Sequence, residues 1–128
     1  MHDDCRILLV EDDDSVRRAF ERGFRIAGYR VDVATTVKGG LEKLNGHEVA
    51  LLDLQLPDGH GTELLLKIRR EGRGTRVAIY SGLAEAEAIV QACGELPDAF
   101  FRKPVELSQL LEWIDDSGAT ASKASQSE

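Results

Sequence analysis

Cysteine, proline, aromatic side chains and basic charge are all scarce in this chain. Its 128 residues include two cysteines, three prolines, one methionine, one tryptophan, two tyrosines and four phenylalanines. Cys5 and Cys93 fit no CxxC or metal-ligand spacing. That excludes a disulfide-stapled scaffold and a cysteine zinc site, and both are read as inert thiols of a reducing compartment. So few prolines exclude collagen-like and proline-rich sequences. Lys and Arg number 16 against 23 Asp and Glu, a formal charge of -7. Such a surface repels phosphate backbones, which excludes direct nucleic-acid binding by this chain. No apolar run approaches the roughly 18 to 20 residues of a membrane span. The opening MHDDCR is acidic where a secretion signal is basic. A cytoplasmic protein with no membrane partner is expected.

What is present is ordinary for a globular domain: 42% hydrophobic and 30% charged residues. A chain of this length makes one domain and buries roughly two-thirds of its unfolded surface. Five short apolar runs stand out, at 7–10, 31–34, 49–52, 77–80 and 99–101. Continuous rather than alternating apolarity predicts strands covered on both faces. Each run is followed by a helical stripe. The first contains Val16, Ala19, Phe20, Gly23, Phe24 and Ala27 and stops at Gly28. The later stripes are Val37, Leu41 and Leu44; Leu64, Leu65 and Ile68; Ala86, Ile89, Val90 and Cys93; and Leu107, Leu110, Leu111 and Ile114. Strict strand and helix alternation predicts a three-layer α/β sandwich with one five-stranded parallel sheet and right-handed crossovers. From Ser117 the chain has no apolar face, so 1–116 is read as the domain and 117–128 as a flexible tail or linker.

In an open α/β sheet, function is expected where loops converge at the carboxyl ends of the strands. The polar residues there are Glu11 and Asp12, Asp53, Ser81 and Lys103, following the first, third, fourth and fifth runs. Three carboxylates crowded together repel one another unless a cation offsets them. Oxygen-only ligands suit a hard ion such as Mg2+ better than zinc. One divalent ion and the Lys103 ammonium bring three ionised acids to a formal sum of zero. Such a pocket accepts a dianionic phosphoryl group, with Ser81 and Lys103 as donors and Asp53 as nucleophile. The competing structural readings are a helix cap at Asp14 or Ser15, a core aromatic at Phe100, and surface histidines at His2, His47 and His60.

The strings LLVEDDDSVRR, LLDLQLPDGHG, IYSGL and FFRKPV resemble, in order and spacing, the response regulator receiver domain of two-component signal transduction, the chemotaxis regulator among them. The resemblance spans about residues 6 to 114. It implies a flavodoxin-like sheet of order 2-1-3-4-5. Asp53 is then the phosphoacceptor, Asp12 a direct Mg2+ ligand, Glu11 an acid acting through water, and the Gln55 carbonyl a further ligand. Ser81 is the hydroxyl that moves toward the phosphoryl group and Lys103 its ionic partner. Phe100 is the aromatic whose rotamer follows, altering the face made by the fourth helix, fifth strand and fifth helix. A cis peptide is implied at Lys103-Pro104, and Gly82 leaves phosphoryl access open. The turn Pro57-Asp58-Gly59 and Gly61 lead into the third helix. The implied partners are a sensor histidine kinase or phosphotransfer protein and an unknown effector.

The chain departs from the family at CGELPDAFF, where a Gly-Ala-Asp stretch is common. Phe100 lacks a tyrosine hydroxyl. Leu83 cannot orient a hydrolytic water whereas Gln55 can, so a moderately long-lived phosphoryl group is expected. Two rivals remain at this point. Asp12-Asp13-Asp14-Ser15-Val16 fits the D-x-D-x-[TV] signature of haloacid-dehalogenase-like phosphatases, but that reading leaves Asp53 unexplained. A phosphorylation-independent adaptor with the same fold is the other. Dinucleotide binding is excluded because EDDDS replaces the glycine-rich cradle after the first strand.

Overall fold

All five apolar runs are strands of a single parallel sheet in the computed structural model, which describes residues 5–118. The chain runs β1 (Arg6–Val10), α1 (Asp14–Ile26), β2 (Arg30–Ala34), α2 (Val37–Glu42) and β3 (Val49–Asp53). A hairpin of β4 (Gln55–Leu56) and β5 (Gly59–His60) precedes α3 (Thr62–Arg70). β6 (Arg76–Ser81), α4 (Ala86–Ala92), β7 (Ala99–Arg102) and α5 (Leu107–Gly118) follow. The sheet order is β2-β1-β3-β6-β7. Counting sheet strands alone, this is the 2-1-3-4-5 order the resemblance implied. The two-stranded hairpin is an addition where a plain turn was expected around 57–59.

Parity along each strand sorts the core into two clusters. Leu8, Val10, Leu52 and Ile79 pack with Val37, Leu64, Leu65, Ile68 and Val90 beneath α2, α3 and α4. Ile7, Leu9, Leu51 and Tyr80 pack with Phe20, Phe24, Leu110 and Ile114 beneath α1 and α5. Each fully buried large apolar side chain contributes roughly 1.5–3 kcal/mol. Only the central strands β1, β3 and β6 are buried almost throughout. The edge strand β7 is partly exposed along its whole length, since no strand covers its outer side. Helix α1 reaches α5 closely at Gly23, where an added Cβ would meet Leu107. Gly28, at φ 98°, ends the α1 region as its position suggested.

Several expectations need correction. The cap of α1 is Asp13, whose Oδ1 accepts the Val16 amide at 3.0 Å, and Asp14 and Ser15 lie inside the helix. The helix starts where the carboxylate reaches the third amide after it. Leu41 is exposed, whereas Val37, Gly40 and Leu44 are buried, because α2 stops at Glu42 and Leu44 turns inward after it. His47 is buried, not a surface residue; its Nε2 lies 2.7 Å from Asp32 Oδ2. Asp32 also accepts from Arg6 at 2.9 Å, so burial of the imidazole comes with a polar partner. His60 is exposed, and His2 lies outside the described residues. Residues 117 and 118 belong to α5, and the rest of the expected tail, 119–128, lies outside the described residues.

Candidate functional site

The carboxyl edge of the sheet gathers residues from four strand ends. Glu11 directly follows β1 and is fully buried, its amide bonded to the Ala34 carbonyl at 3.0 Å. Asp53 closes β3 at 2% exposure and pairs in register with Tyr80 of β6. One carboxylate oxygen from each of Glu11, Asp12 and Asp53 lies within 4.8 Å of the others, with Asp12 on the exposed side. Lys103 enters from the end of β7, its amide continuing the ladder to the Ser81 carbonyl at 3.0 Å. Its Nζ stands 3.1 Å from Asp53 Oδ2 and 3.8 Å from Glu11 Oε1. The Lys103-Pro104 peptide bond is cis.

Burial, and then the negative charge of Glu11, pushes Asp53 up to about 7, with Lys103 opposing the rise. Two buried acids facing one ammonium are left short of positive charge. A hard divalent cation with oxygen ligands meets that deficit, and one open side at Asp12 leaves room for its water. The donor set therefore fits Mg2+.

Ser81 is buried at the end of β6, and its Oγ accepts the Leu83 amide at 3.0 Å. Gln55 donates its amide to Asp53 Oδ1 at 3.2 Å. Phe100 lies on the opposite side of the sheet from Tyr80, partly buried against the α2–α4 cluster, with the Arg102 guanidinium 5.7 Å from its ring centroid. An added Cβ at Gly82 would meet Lys103 carbons at 3.6–4.0 Å, an ordinary contact. At Gly61 it would meet the Asp53 carbonyl oxygen at 2.5 Å, so only glycine lets the start of α3 approach the end of β3.

Tyr80 was missed. It is fully buried and donates its hydroxyl to Glu11 Oε1 at 2.8 Å. Burial, then Glu11, pushes the phenol well above its ordinary value, so it stays a donor. The available signal was a phenol in a buried strand one residue before Ser81, because a buried tyrosine hydroxyl requires a polar partner. Asp58 was read only as a turn residue, yet it accepts the Val37 and Lys38 amides at 2.7 and 3.1 Å and caps α2 from a distant loop. Asp98, in the unusual CGELPDAFF stretch, accepts the Val77 amide at 2.8 Å and Arg69 at 3.0 Å, which anchors the start of β7.

A flavodoxin-like parallel sheet carrying an acidic pocket and a lysine at its carboxyl edge defines a receiver-type α/β domain. The response regulator receiver domain model matches residues 7–115, and the chain belongs to that family. The cell cycle response regulator CtrA of Brucella ovis is 32% identical over 111 residues, covering 85% of this chain and 48% of the relative. The chain thus spans about half the length of the curated relatives it matches. A CheY-like receiver domain protein of Methanospirillum hungatei is similar with a TM-score of 0.78 and 34% identity, over 88% of this chain and 92% of that one. The HemR receiver domain of Leptospira biflexa is similar with a TM-score of 0.73 and 27% identity, over 87% and 91%. Receiver domains are signalling modules of two-component systems, for which aspartate phosphorylation and Mg2+ are general properties. Among the described residues no helix is long and apolar enough to cross a membrane.

Proposed function

We propose that this chain accepts a phosphoryl group on Asp53 from a phosphohistidine of a sensor histidine kinase or phosphotransfer protein, and that the phosphorylated form presents a changed surface to an effector. The observation that carries this reading is the buried Asp53 carboxylate, held between the Lys103 ammonium and the acids Glu11 and Asp12. An Asp53 oxygen attacks phosphorus; the bond from phosphorus to the donor imidazole nitrogen breaks, that nitrogen keeps the electron pair and ends protonated, and an aspartyl phosphate remains. Asp12, Asp53 and the Gln55 carbonyl would hold Mg2+, with Glu11 acting through water, and the ion would supply positive charge to the phosphoryl oxygens. Lys103 supplies the second positive charge and the Gly82 side leaves room for the incoming group.

Switching follows from Ser81. Its hydroxyl exchanges the Leu83 amide for a phosphoryl oxygen, and Phe100 turns into the space released. The surface altered is that of α4, β7 and α5. The setting is cytoplasmic, and the chain assists only its own phosphorylation and dephosphorylation. Asp14, the second acid of the phosphatase signature, pairs with Arg17 at 2.6 Å on the helix surface, which disfavours the phosphatase rival.

Acetyl phosphate with Mg2+, followed by intact mass and peptide mapping, tests the proposal. One phosphoryl addition on Asp53, lost in Asp53→Asn, is the expected result. Steady turnover of phosphate esters that depends on Asp12 would overturn it in favour of the phosphatase. Partner affinity unchanged by Asp53→Asn in the presence of phosphodonor would favour the adaptor.

A further inference from the structure

We infer that Tyr80 is a positioning residue of the acidic pocket: its buried hydroxyl holds the Glu11 carboxylate in the orientation that cation binding requires and keeps Lys103 assigned to Asp53. The inference rests on the function proposed above and extends it to a residue of β6 that the pocket's acids and lysine do not include.

Glu11 has both carboxylate oxygens engaged. Oε1 accepts the Tyr80 hydroxyl at 2.8 Å, and Oε2 accepts the Asp13 amide at 3.0 Å. Two donors from separate elements, the β6 strand and the start of α1, leave the carboxylate one orientation. A charge-assisted hydrogen bond in a dry site is stronger than a neutral one and restricts geometry more. Tyr80 is itself held rigidly. Its ring is fully buried, meets Phe20 edge-on with centroids 6.2 Å apart, and belongs to the cluster beneath α1 and α5.

The phenol also settles a competition. Lys103 Nζ is 3.8 Å from the same Glu11 Oε1 and 3.1 Å from Asp53 Oδ2. With Oε1 occupied at 2.8 Å by the tyrosine, the ammonium sits closer to Asp53. The Tyr80 ring lies under the ammonium, 5.3 Å from centroid to Nζ, which supports the cation from below. Without the hydroxyl, Oε1 is a buried acceptor missing its partner, with the Lys103 ammonium 3.8 Å away. The lysine then moves toward Glu11, placing positive charge against an acid the divalent cation needs.

Partners that orient metal-binding side chains are typically worth roughly tenfold or more in metal affinity. The test is calorimetric Mg2+ titration of the full chain in four forms: unaltered, Tyr80→Phe, Glu11→Gln and the double variant. Acetyl phosphate labelling of Asp53 is measured across the same Mg2+ range. Roughly tenfold weaker Mg2+ binding in Tyr80→Phe is expected. Labelling should shift to higher Mg2+ with its rate at saturation largely kept. The double variant should bind no more weakly than Glu11→Gln, because the phenol acts through that acid.

Binding by Tyr80→Phe within twofold of the unaltered chain would overturn the inference while leaving the proposed function standing. So would losses that multiply in the double variant, or a reduced saturating rate at unchanged Mg2+ dependence. If Tyr80→Phe does not fold, the unaltered chain still decides: the Tyr80 Cζ NMR signal should shift on Mg2+ saturation, and an indifferent signal overturns the inference. An unaltered chain that neither binds Mg2+ nor labels at Asp53 would overturn both readings.

Discussion

The ammonium of Lys103 stands 3.1 Å from Oδ2 of Asp53, yet it does not cancel the cost of burying that carboxylate beside Glu11. Burial and Glu11 still leave Asp53 pushed up to about 7.

This raised value makes a pH prediction. Asp53 in the folded, metal-free chain holds its proton more tightly than in the unfolded chain, where an aspartate ionises near 3.9. The acid is therefore no burden below about pH 4. Its ionisation destabilises the fold progressively as pH rises toward 7, and the full cost is present above that. Asp53→Asn should melt on the order of 5 °C higher than the unaltered chain at pH 8 in chelator. The gap should close near pH 4. Melting curves showing a pH-independent gap would contradict this.

Asp32 predicts the opposite slope. The His47 hydrogen bond, and after it the Arg6 contact, hold this carboxyl below the usual carboxylate range. Its stabilising contribution is present above the unfolded carboxylate value and is lost as pH falls through the lowered folded one. Asp32→Asn should lower stability at pH 7 and converge with the unaltered chain in strong acid. Urea midpoints at several pH values decide the matter.

Gly61 and Gly82 make a paired prediction. Gly61→Ala drives a methyl group to 2.5 Å from the Asp53 carbonyl oxygen, against backbone that cannot swing away. A loss of about 1–3 kcal/mol is expected, together with weaker labelling of Asp53. Gly82→Ala meets only Lys103 carbons at 3.6 Å or more and should cost about 0.5 kcal/mol or less. Equal destabilisation in chemical denaturation would remove the argument for close approach.

Leu83 sets an expectation for phosphoryl lifetime. Its side chain packs partly buried against the α2–α4 cluster, and its amide is bonded to Ser81 Oγ, so it offers an incoming water no polar group from its side chain. Leu83→Glu should shorten the lifetime of phospho-Asp53 several-fold. Dephosphorylation followed by loss of label is the measurement, and equal or slower decay in Leu83→Glu would refute the expectation.

The sheet was legible because its strands are buried on both faces and so read as unbroken apolar runs. Their carboxyl ends then located Glu11, Asp12, Asp53, Ser81 and Lys103 with no coordinates at all. Edges and ends were less legible. The Gln55–Leu56 and Gly59–His60 pairing involves two residues a side, too short to leave a period. Asp13 outcompetes Asp14 and Ser15 as a cap by reach alone, a matter of one residue along a run of four acids.

By itself, then, the order of residues determined the strand and helix succession, the acidic strand ends and the lysine directly after the last strand, since burial and periodicity are written locally. Contacts between residues far apart in the chain were decided only by tertiary structure. Tyr80 reaches Glu11 across 69 positions, His47 finds Asp32 from a loop, and Asp58 caps a helix 21 residues earlier. A buried polar group must find a partner, but local sequence cannot say which. That choice depends on which strands become neighbours, and sheet order is a property of the folded chain as a whole.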